Sequence, residues 1–325
     1  MILVVGGAGY IGSHTNRLLD ERGYQTVVFD NLETGHADFV RWGKFFQGDL
    51  RNIEDIRRCF ASYPKIEAVI HFAAYAYVGE SVHEPQKYYH NNVLGTINLL
   101  TVMQEFRCQK IIFSSTCATY GVPIEMPITE KHIQAPINPY GKTKYIIELM
   151  LEDYEKAYGL HYVVFRYFNA AGASRDGLIG EDHTPETHLI PLVLDVALGK
   201  REFIEVFGDD YDTADGSCIR DYIHVEDLAL AHVLGLEYLQ TSLTSNIFNL
   251  GNGVGFSVKE IIASVEKVVD QKIPTKLTSR REGDPAKLIG SFQKAKEILG
   301  WEPYYKTIED IIATAWNWHQ KRIKK

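Results

Sequence analysis

The fold of this chain is decided by its N-terminal stretch, Met1-Ile2-Leu3-Val4-Val5-Gly6-Gly7-Ala8-Gly9-Tyr10-Ile11-Gly12. The apolar run before Gly6 predicts a strand that is buried on both faces, and the apolar residues after Gly12 recur at helical spacing. Three spaced glycines allow a sharp turn, a close approach of a diphosphate to the backbone and tight packing of the helix on the strand. The free N–H groups at the start of the helix then face the anion. The stretch therefore predicts the strand, glycine turn and helix of a dinucleotide-binding fold.

An acidic residue ends the second predicted strand. This strand runs from Thr26 to Phe29 and is followed by Asp30. In dinucleotide-binding folds, an acid about 20 residues beyond the glycines hydrogen-bonds the ribose hydroxyls of the cofactor. Because a carboxylate at this position would repel a 2′-phosphate, we expect NAD rather than NADP.

Strand and helix patterns alternate through the first half of the chain. Buried-strand runs at residues 45–46, 68–74 and 110–113 follow helical patterns of the kind seen after Gly12. This alternation predicts an α/β fold, with a doubly wound parallel sheet of the Rossmann type. Ligands of such sheets bind at the carboxyl ends of the strands, so we expect the polar residues at those ends to share one crevice.

The alternating pattern breaks after Asn169, where a Gly- and Asp-rich stretch begins. We expect a smaller α/β C-terminal lobe there, which would bind the substrate. In this division, residues 1–169 and 221–252 form the NAD-binding domain, and residues 170–220 and 253–325 form the substrate domain.

The composition is that of an ordinary soluble globular protein. The chain has 325 residues, of which 45% are hydrophobic and 23% charged, and its formal net charge is −8. This charge and the lack of a basic stripe argue against a nucleic-acid partner. No apolar run reaches the roughly 18 residues that a membrane span needs. Because Met1 leads straight into a core strand, we expect no signal peptide and a cytoplasmic protein.

The spacing of cysteines and histidines predicts no metal site. The four cysteines lie far apart and form no CxxC pair, and the 12 histidines form no HExxH motif. CxxC and HExxH are typical of zinc sites, so the absence of both motifs argues against a zinc site. We expect reduced, structural thiols.

A tyrosine and a lysine four residues apart form the strongest catalytic motif. Tyr140 and Lys144 begin a predicted helix and lie on one of its faces. A free phenol, with a pKa of about 10, is a poor base at neutral pH. A fixed ammonium and a nicotinamide cation nearby would favour the phenolate and lower that pKa. The hydroxyl cluster Ser114-Ser115-Thr116 ends the preceding strand, and it makes a chance occurrence of the pair less credible.

Three further polar residues have alternative explanations. The segment 85–106 has helical periodicity, but Asn91 and Asn92 lie in its middle, where amides are poor helix formers. Either both are surface residues, or one of them holds backbone or cofactor groups in the core, which we favour. Asp49, at the end of the third strand, either caps a helix or borders the adenine pocket of the cofactor.

Over nearly its whole length, the sequence resembles the extended short-chain dehydrogenase/reductase family. The glycine turn and the Tyr140/Lys144 pair identify only that large family. Further stretches narrow the resemblance to its nucleotide-sugar enzymes: Val78-Gly79-Glu80-Ser81-Val82, Arg166-Tyr167-Phe168-Asn169, Arg220-Asp221-Tyr222-Ile223-His224-Val225 and Arg280-Arg281-Glu282-Gly283-Asp284.

The residues after Thr116 indicate which reaction the resemblance implies. Dehydratases and decarboxylases of this family carry an acid just after the Ser/Thr, whereas this chain has Cys117 and Ala118. The resemblance therefore implies 4-epimerisation, in which UDP-galactose and UDP-glucose interconvert by oxidation to a 4-keto sugar, rotation and re-reduction. It implies NAD as the cofactor, and a homodimer paired through residues 85–106 and 140–158.

The resemblance also implies a set of functional residues. Its catalytic residues are Tyr140, Lys144 and Thr116. The residues implied for NAD binding are Gly6, Gly9, Tyr10, Ile11, Gly12, Asp30, Asn31, Asp49, Leu50, Phe72, Ala73, Ala74, Asn91, Ser114, Tyr140, Lys144 and Tyr167. Those implied for substrate binding are Ser114, Thr116, Tyr140, Phe168, Asn169, His188, Leu189, Phe207, Arg220, Arg281 and Asp284.

Three positions bear on how the cofactor and the UDP-sugar are bound. Ala76 replaces a lysine that in many members contacts the cofactor phosphates, and His188 replaces an asparagine that some members have near the UDP phosphates. Leu288 lies where side-chain size decides whether an N-acetyl group is admitted.

The alternatives to a UDP-galactose/UDP-glucose 4-epimerase are a 4-epimerase of a UDP-N-acetylhexosamine or UDP-pentose, a net dehydrogenase or reductase, and a non-catalytic NAD-binding regulator. Such a regulator commonly lacks the Tyr/Lys pair.

Overall fold

A parallel seven-stranded sheet forms the centre of the molecule. The computed structural model describes residues 1–281 and 285–323. The strands of this sheet, in spatial order, are Asn246–Leu250 (β10), His161–Tyr167 (β6), Lys110–Thr116 (β5), Ala68–His71 (β4), Ile2–Val5 (β1), Thr26–Asp30 (β2) and Lys44–Gln47 (β3). Every neighbouring pair runs parallel. The chain moves outward from β1 in one direction and from β4 in the other, so the crevice between these two strands is the topological switch point.

Helices cover both faces of this sheet. Because successive side chains of a strand point to opposite faces, Leu3 and Val5 pack in one core cluster and Ile2 and Val4 in the other. The predicted doubly wound α/β fold is confirmed. No helix in the described part of the chain combines the length and apolarity that crossing a membrane requires.

The helices have the following bounds. They are Tyr10–Glu21 (α1), Ile53–Ser62 (α2), Val78–His83 (α3), Pro85–Tyr88 (α4), Gly95–Glu105 (α5), Pro139–Tyr158 (α6), Leu189–Ala197 (α7), Val225–Thr241 (α8), Val258–Val269 (α9), Gln293–Leu299 (α10) and Ile308–Ile323 (α11). A π-helical segment, Tyr89–Leu94, joins α4 to α5. Short 3-10 turns occur at Ala37–Phe39 and Cys117–Thr119.

Two small sheets lie beyond the carboxyl edge of the main sheet. The larger one consists of Asn169–Ala171 (β7), Ile219–His224 (β9), Gly255–Ser257 (β11) and Lys287–Leu288 (β13). The other pairs Ile204–Phe207 (β8) with Thr275–Thr278 (β12). A separate core cluster joins α7, α9 and α11 to these strands. The small sheets and the helices α7, α9 and α11 come from the chain from Asn169 onward, where the sequence predicts a smaller lobe.

Three predicted elements differ from the structure in detail. The strand predicted over 68–74 ends at His71, because the N–H groups of Phe72 and Ala73 both donate to the Val5 carbonyl and turn the chain out of the sheet. In contrast, β5 continues to Thr116, so the hydroxyl cluster belongs to the strand itself. The helical segment 85–106 contains the π-helical insertion, which surrounds the two asparagines.

A buried ion pair joins α6 to β6. The side chains of Arg166 and Glu148 are 4% and 2% exposed, and Nε of the arginine lies 3.1 Å from Oε2 of the glutamate. Nη1 of Arg166 also donates to the Tyr120 hydroxyl at 3.0 Å, and Ser115 donates to Glu148. Because each charge is desolvated, each depends on its partner for compensation.

Replacing one member of this pair should destabilise the fold. We expect Arg166→Leu to lower the free energy of unfolding by about 3–5 kcal/mol, because it leaves the Glu148 carboxylate buried without its countercharge. The matched control is Lys156→Leu on α6, the helix that carries Glu148; the pair that Lys156 forms with Asp153 is 3.9 Å long and largely exposed. This control should change stability by less than about 0.5 kcal/mol. Urea denaturation measures both, and equal effects of the two substitutions would contradict the assigned role of the buried pair.

Candidate active site

The glycine turn between β1 and α1 leaves a cradle at the switch point. Gly6 has φ +78°, and a Cβ there would lie 2.5 Å from the Ala73 nitrogen. A Cβ at Gly12 would lie 2.2 Å from the Gly6 carbonyl oxygen. Gly9 is less crowded. A Cβ there would have one neighbouring atom of the described chain within 4 Å, the Gly6 carbonyl oxygen at 3.3 Å. Two glycines therefore close the turn, and the third borders open space that fits a cofactor diphosphate.

Asp30 holds the glycine turn against the end of β2. Its carboxylate oxygens accept the N–H groups of Ala8 at 3.0 Å and Leu32 at 2.9 Å. Burial raises the pKa of this carboxyl, although both hydrogen bonds oppose that shift. The side chain lies at the strand end where the sequence predicts contact with the cofactor ribose.

Asp49 and Asn31, both predicted to border the cofactor, contact each other. Nδ2 of Asn31 donates to Asp49 at 3.1 Å, and the Arg51 guanidinium pairs with the same carboxylate. This arginine lowers the pKa of Asp49 to about 2. Leu50, also predicted to border the cofactor, lies buried in the core cluster below.

The loop after β4 is held by an asparagine of the π-helical segment. Asn92 is buried, and its side-chain amide accepts from the Tyr75 N–H at 2.9 Å and donates to the Tyr75 carbonyl at 3.1 Å. Asn91, which the resemblance implies for NAD binding, donates to Asn92 at 3.1 Å. The favoured interpretation, that one of the two amides holds backbone in the core, is confirmed for Asn92. Phe72, Ala73 and Ala74 lie in the loop that it supports.

The Tyr140/Lys144 pair begins α6. Asn138 caps this helix by accepting the Gly141 N–H at 2.8 Å, and Pro139 occupies the first helical position. Lys144 is buried, and its Nζ donates to the Ser114 carbonyl at 2.7 Å. The helix therefore fixes the amine against the end of β5, beside the predicted hydroxyl cluster.

The protein's own groups do not lower the pKa of Tyr140, and the expected lowering also includes the effect of the nicotinamide cation. Burial raises the pKa of this phenol well above its usual value, Tyr167 raises it further, and a hydrogen bond with Thr116 acts in the opposite direction. Burial also lowers the pKa of Lys144 to about 7. Desolvation disfavours the charged form of each group, so the phenolate requires positive charge beyond what these side chains supply.

A buried histidine that the sequence analysis did not single out completes the hydroxyl cluster. Nδ1 of His232 lies 2.8 Å from the Leu228 carbonyl and Nε2 lies 3.0 Å from Oγ of Ser114. Because a carbonyl only accepts, Nδ1 carries the proton, and Nε2 accepts from Ser114. Burial lowers the pKa of His232 to about 4, which keeps the ring neutral. Tyr167 in turn donates to Ser114 at 3.1 Å. In the sequence, the signal that could have revealed His232 is a lone histidine in the apolar run of residues 228–236.

The residues predicted to bind substrate lie mainly on the small sheets and their loops. The Arg281 guanidinium carbon lies 4.0 Å from the centre of the Phe207 ring. Arg220 donates to the Ile219 carbonyl at 2.7 Å, and Asn169 donates to the Asp221 carbonyl at 2.9 Å. The remaining predicted positions are placed as follows: Phe168 is buried, Leu189 begins α7, and Asp284 falls outside the described residues.

His188 belongs to a four-residue cluster that the sequence analysis missed. Glu181, His183, Glu186 and His188 each bring one potential metal ligand to a common point, and these four atoms lie within 4.8 Å of one another. The expectation of no metal site relied on the missing HExxH motif. The signal that could have revealed the cluster is the spacing E-x-H-x-x-E-x-H over residues 181–188.

Fold and site together define a dinucleotide-dependent enzyme with a Tyr/Lys pair. The chain belongs to the NAD dependent epimerase/dehydratase family, whose model matches residues 2–251. The cofactor predicted from Asp30 is confirmed as NAD.

Relatives resemble the chain over its whole length. It is 55% identical over 320 residues to a UDP-glucose 4-epimerase of Halalkalibacterium halodurans, which covers 98% of this chain and 96% of that protein. The structure of UDP-glucose 4-epimerase from Brucella ovis in complex with NAD superposes with a TM-score of 0.95 at 53% identity, covering 97% of both chains. The Bifidobacterium longum UDP-glucose 4-epimerase, in complex with NAD+ and UDP, has a TM-score of 0.94 at 40% identity, covering 99% of this chain and 98% of that one.

Filling the cradle at Gly9 should weaken cofactor binding without unfolding the protein. We expect Gly9→Ala to lower NAD affinity at least tenfold, about 1.4 kcal/mol, because the new methyl occupies the space beside the turn. Calorimetric titration of the NAD-depleted protein measures this affinity, and circular dichroism checks the fold. The control is Gly79→Ala, which adds the same methyl in open space on the surface. Unchanged NAD binding in Gly9→Ala would overturn the assignment of the cradle.

Proposed function

We propose that this enzyme interconverts UDP-galactose and UDP-glucose by inverting carbon 4 of the sugar. The observation that carries the proposal is the convergence of Tyr140, Thr116 and Lys144 at the carboxyl end of β5. Cys117 and Ala118 follow Thr116, where an eliminating or decarboxylating enzyme needs an acid. The relatives named UDP-glucose 4-epimerase, which match the chain from end to end, support the same substrate pair.

Tyr140 acts as the base in the proposed reaction. Its phenolate takes the proton of the sugar 4-hydroxyl, and Thr116 hydrogen-bonds the same oxygen as it becomes a ketone. Because burial holds the phenol proton tightly, the phenolate forms under positive charge from Lys144 and from the oxidised cofactor. In the return direction Tyr140 gives the proton back to the opposite stereoisomer.

NAD, when bound, supplies the hydride acceptor and donor for carbon 4. The protein residues proposed to hold it are those of the glycine turn, Asp30, the loop after β4 and Lys144. Asp30 already accepts two backbone N–H groups, so its orientation is fixed before any ribose binds. This preorganisation avoids an ordering cost on binding.

The UDP-sugar is proposed to be held firmly at the diphosphate and loosely at the sugar. Guanidinium groups suit phosphate oxygens because their N–H donors form a fixed fork. Arg281, stacked on Phe207, and Arg220, at the start of β9, are the proposed cations. A loosely held sugar can then turn about its bonds to the diphosphate and present its other face.

We propose a homodimer and a cytoplasmic location. Apolar side chains of Leu94 and Ile97, at the start of α5, and of Leu149 on α6 are 36–41% exposed, and these are the segments expected to pair. Cys59, Cys108 and Cys117 form no disulfide in the described chain, as expected of a reducing compartment. The division into an NAD-binding domain and a substrate domain remains part of the proposal.

Incubating the purified enzyme with UDP-galactose, first without and then with added NAD, tests the function. We expect UDP-glucose to form, as separated and quantified by chromatography. Conversion without added NAD would indicate that the enzyme retains its cofactor despite Ala76. A lack of conversion under both conditions, in a folded protein shown to bind NAD, would overturn the proposed substrate pair.

The Tyr140→Phe variant tests the proposed base. This change removes one oxygen and keeps the ring, so we expect turnover to fall by at least about 100-fold, as for loss of a general base. NAD content and the thermal midpoint should stay at the wild-type values. The control is Tyr158→Phe at the far end of the same helix, where the phenol is exposed. Undiminished activity in Tyr140→Phe would rule out its role as the base.

A further inference from the structure

The loop that connects the small sheet to α7 carries two imidazoles and two carboxylates that the epimerase chemistry does not use. Glu181 and His183 lie in this loop, Glu186 follows three residues later, and His188 is the N-cap of α7. Each residue directs one nitrogen or oxygen to the same point, with all four atoms within 4.8 Å. This inference is independent of the proposed function.

The distances between these atoms match the edges of a small coordination polyhedron. Nδ1 of His188 lies 2.7 Å from Oε1 of Glu181 and 3.0 Å from Oε1 of Glu186. Nδ1 of His183 lies 3.3 Å from Oε1 of Glu181 and 3.6 Å from Oε2 of Glu186. Ligands at zinc–nitrogen and zinc–oxygen distances of about 2.0–2.2 Å form a tetrahedron with edges of about 3.4 Å. The four contacts, which involve both oxygens of Glu186, lie on either side of this edge length, so the cluster is close to the size that one tetrahedral ion needs.

Two of the atoms lack hydrogen-bond partners in the described structure. The Glu181 side chain is 4% exposed, yet its Oε1 has no donor in hydrogen-bond geometry, and Nδ1 of His183 also has no partner. A buried carboxylate oxygen without a donor costs free energy unless another group compensates for it. Nδ1 of His188 forms a hydrogen bond with Oε1 of Glu186 at 3.0 Å, so Oε1 of Glu181 and Nδ1 of His183 are the two cluster atoms that converge without hydrogen-bond geometry.

The surrounding structure fixes the cluster in place. Trp318 of α11 donates to the Glu181 carbonyl at 2.9 Å, and Arg322 pairs with Asp182 at 2.5 Å. The N–H groups of Thr187 and His188 donate to Oε1 of Glu186 at 2.7 and 2.8 Å. Such outer contacts orient the ligands of protein metal sites. A cleft of about 150 Å³, lined in part by Glu181, His183 and Glu186, connects the cluster to solvent and provides an entry path.

We propose that Glu181, His183, Glu186 and His188 form a binding site for one divalent transition-metal cation of the zinc class. Two imidazole nitrogens and two carboxylate oxygens suit such an ion, and the two carboxylates neutralise its charge. Four protein ligands complete a tetrahedral shell, so the ion has a structural role and no position is left for substrate. In this assignment His188 is a metal ligand rather than a ligand of the UDP phosphates.

The position of the site indicates what the ion stabilises. The His183 ring lies edge-on to Tyr10 of the glycine turn and to Tyr77 of the loop after β4, with ring centres 6.2 Å apart in both cases. The same ion would anchor the first residue before α7. It therefore ties the loop and α7 to both segments that border the cofactor.

Metal titration of the untagged, NAD-containing enzyme tests the site without any activity assay. After dialysis against a chelator, the wild type should bind one Zn²⁺ per chain, measured by calorimetry and by elemental analysis. Co²⁺ in the same site should give the strong visible absorption of a four-coordinate ion. The variants His183→Gln and Glu186→Gln should weaken Zn²⁺ binding at least about 100-fold, because each removes one ligand.

The control variant is His83→Gln, which removes an exposed histidine outside the cluster and should bind Zn²⁺ as the wild type does. Circular dichroism establishes that each variant is folded, and the wild-type Co²⁺ spectrum needs no variant. A folded wild type that takes up no stoichiometric Zn²⁺, or equal affinity in both cluster variants and the control, would overturn the proposal. These results are independent of turnover, so failure of the proposed epimerase reaction would leave them intact.

Discussion

The close packing of three backbone segments at the topological switch point is the constraint on which this structure depends. Gly6 touches the loop after β4, and Gly12 touches the carbonyl of Gly6, so neither position has room for a methyl group. This packing brings the ends of β1 and β4 to the crevice and turns the start of α1 toward it. The cradle beside Gly9 exists because its two neighbouring glycines let the backbone close around it. Asp30 then holds the turn to β2 through the Ala8 N–H.

The protonation of the catalytic pair, Tyr140 and Lys144, depends on desolvation. Lys144 is buried, with its amine donating to the Ser114 carbonyl, and burial moves its pKa to about 7. The phenol of Tyr140 is shifted in the opposite direction. Both side chains are therefore sensitive to any charge that enters the crevice, because a low-dielectric site strengthens electrostatic interactions. Ser114, which accepts from Tyr167 and donates to the neutral ring of His232, completes a polar cluster that carries no net charge of its own.

Much of the architecture could be predicted from the sequence because its signals are local. The glycine turn, the run Ile2–Val5, the acid at Asp30 and the spacing of Tyr140 and Lys144 each act within a few residues, and each was found where expected. The end of β4 was missed because it depends on a carbonyl of β1. The rise in the pKa of Tyr140 that burial causes could not be predicted, because no spacing encodes burial. His232 was missed because its partner Ser114 comes from a distant part of the chain. The cluster at residues 181–188 was missed because its local spacing is not that of the HExxH motif.

The hydroxyl of Tyr10 donates to the carbonyl of Gly172 at 2.6 Å, across 162 residues of chain. In the order of protein synthesis, the first strand and helix emerge early, but this bond and the contact with His183 wait until residues of the second half have left the ribosome. The sheet itself is completed still later, when Asn246–Leu250 pairs with β6. A nascent chain that carries the whole glycine turn therefore has its nucleotide crevice unfinished on one side. The site nearest the N-terminus is among the last to acquire its full set of contacts.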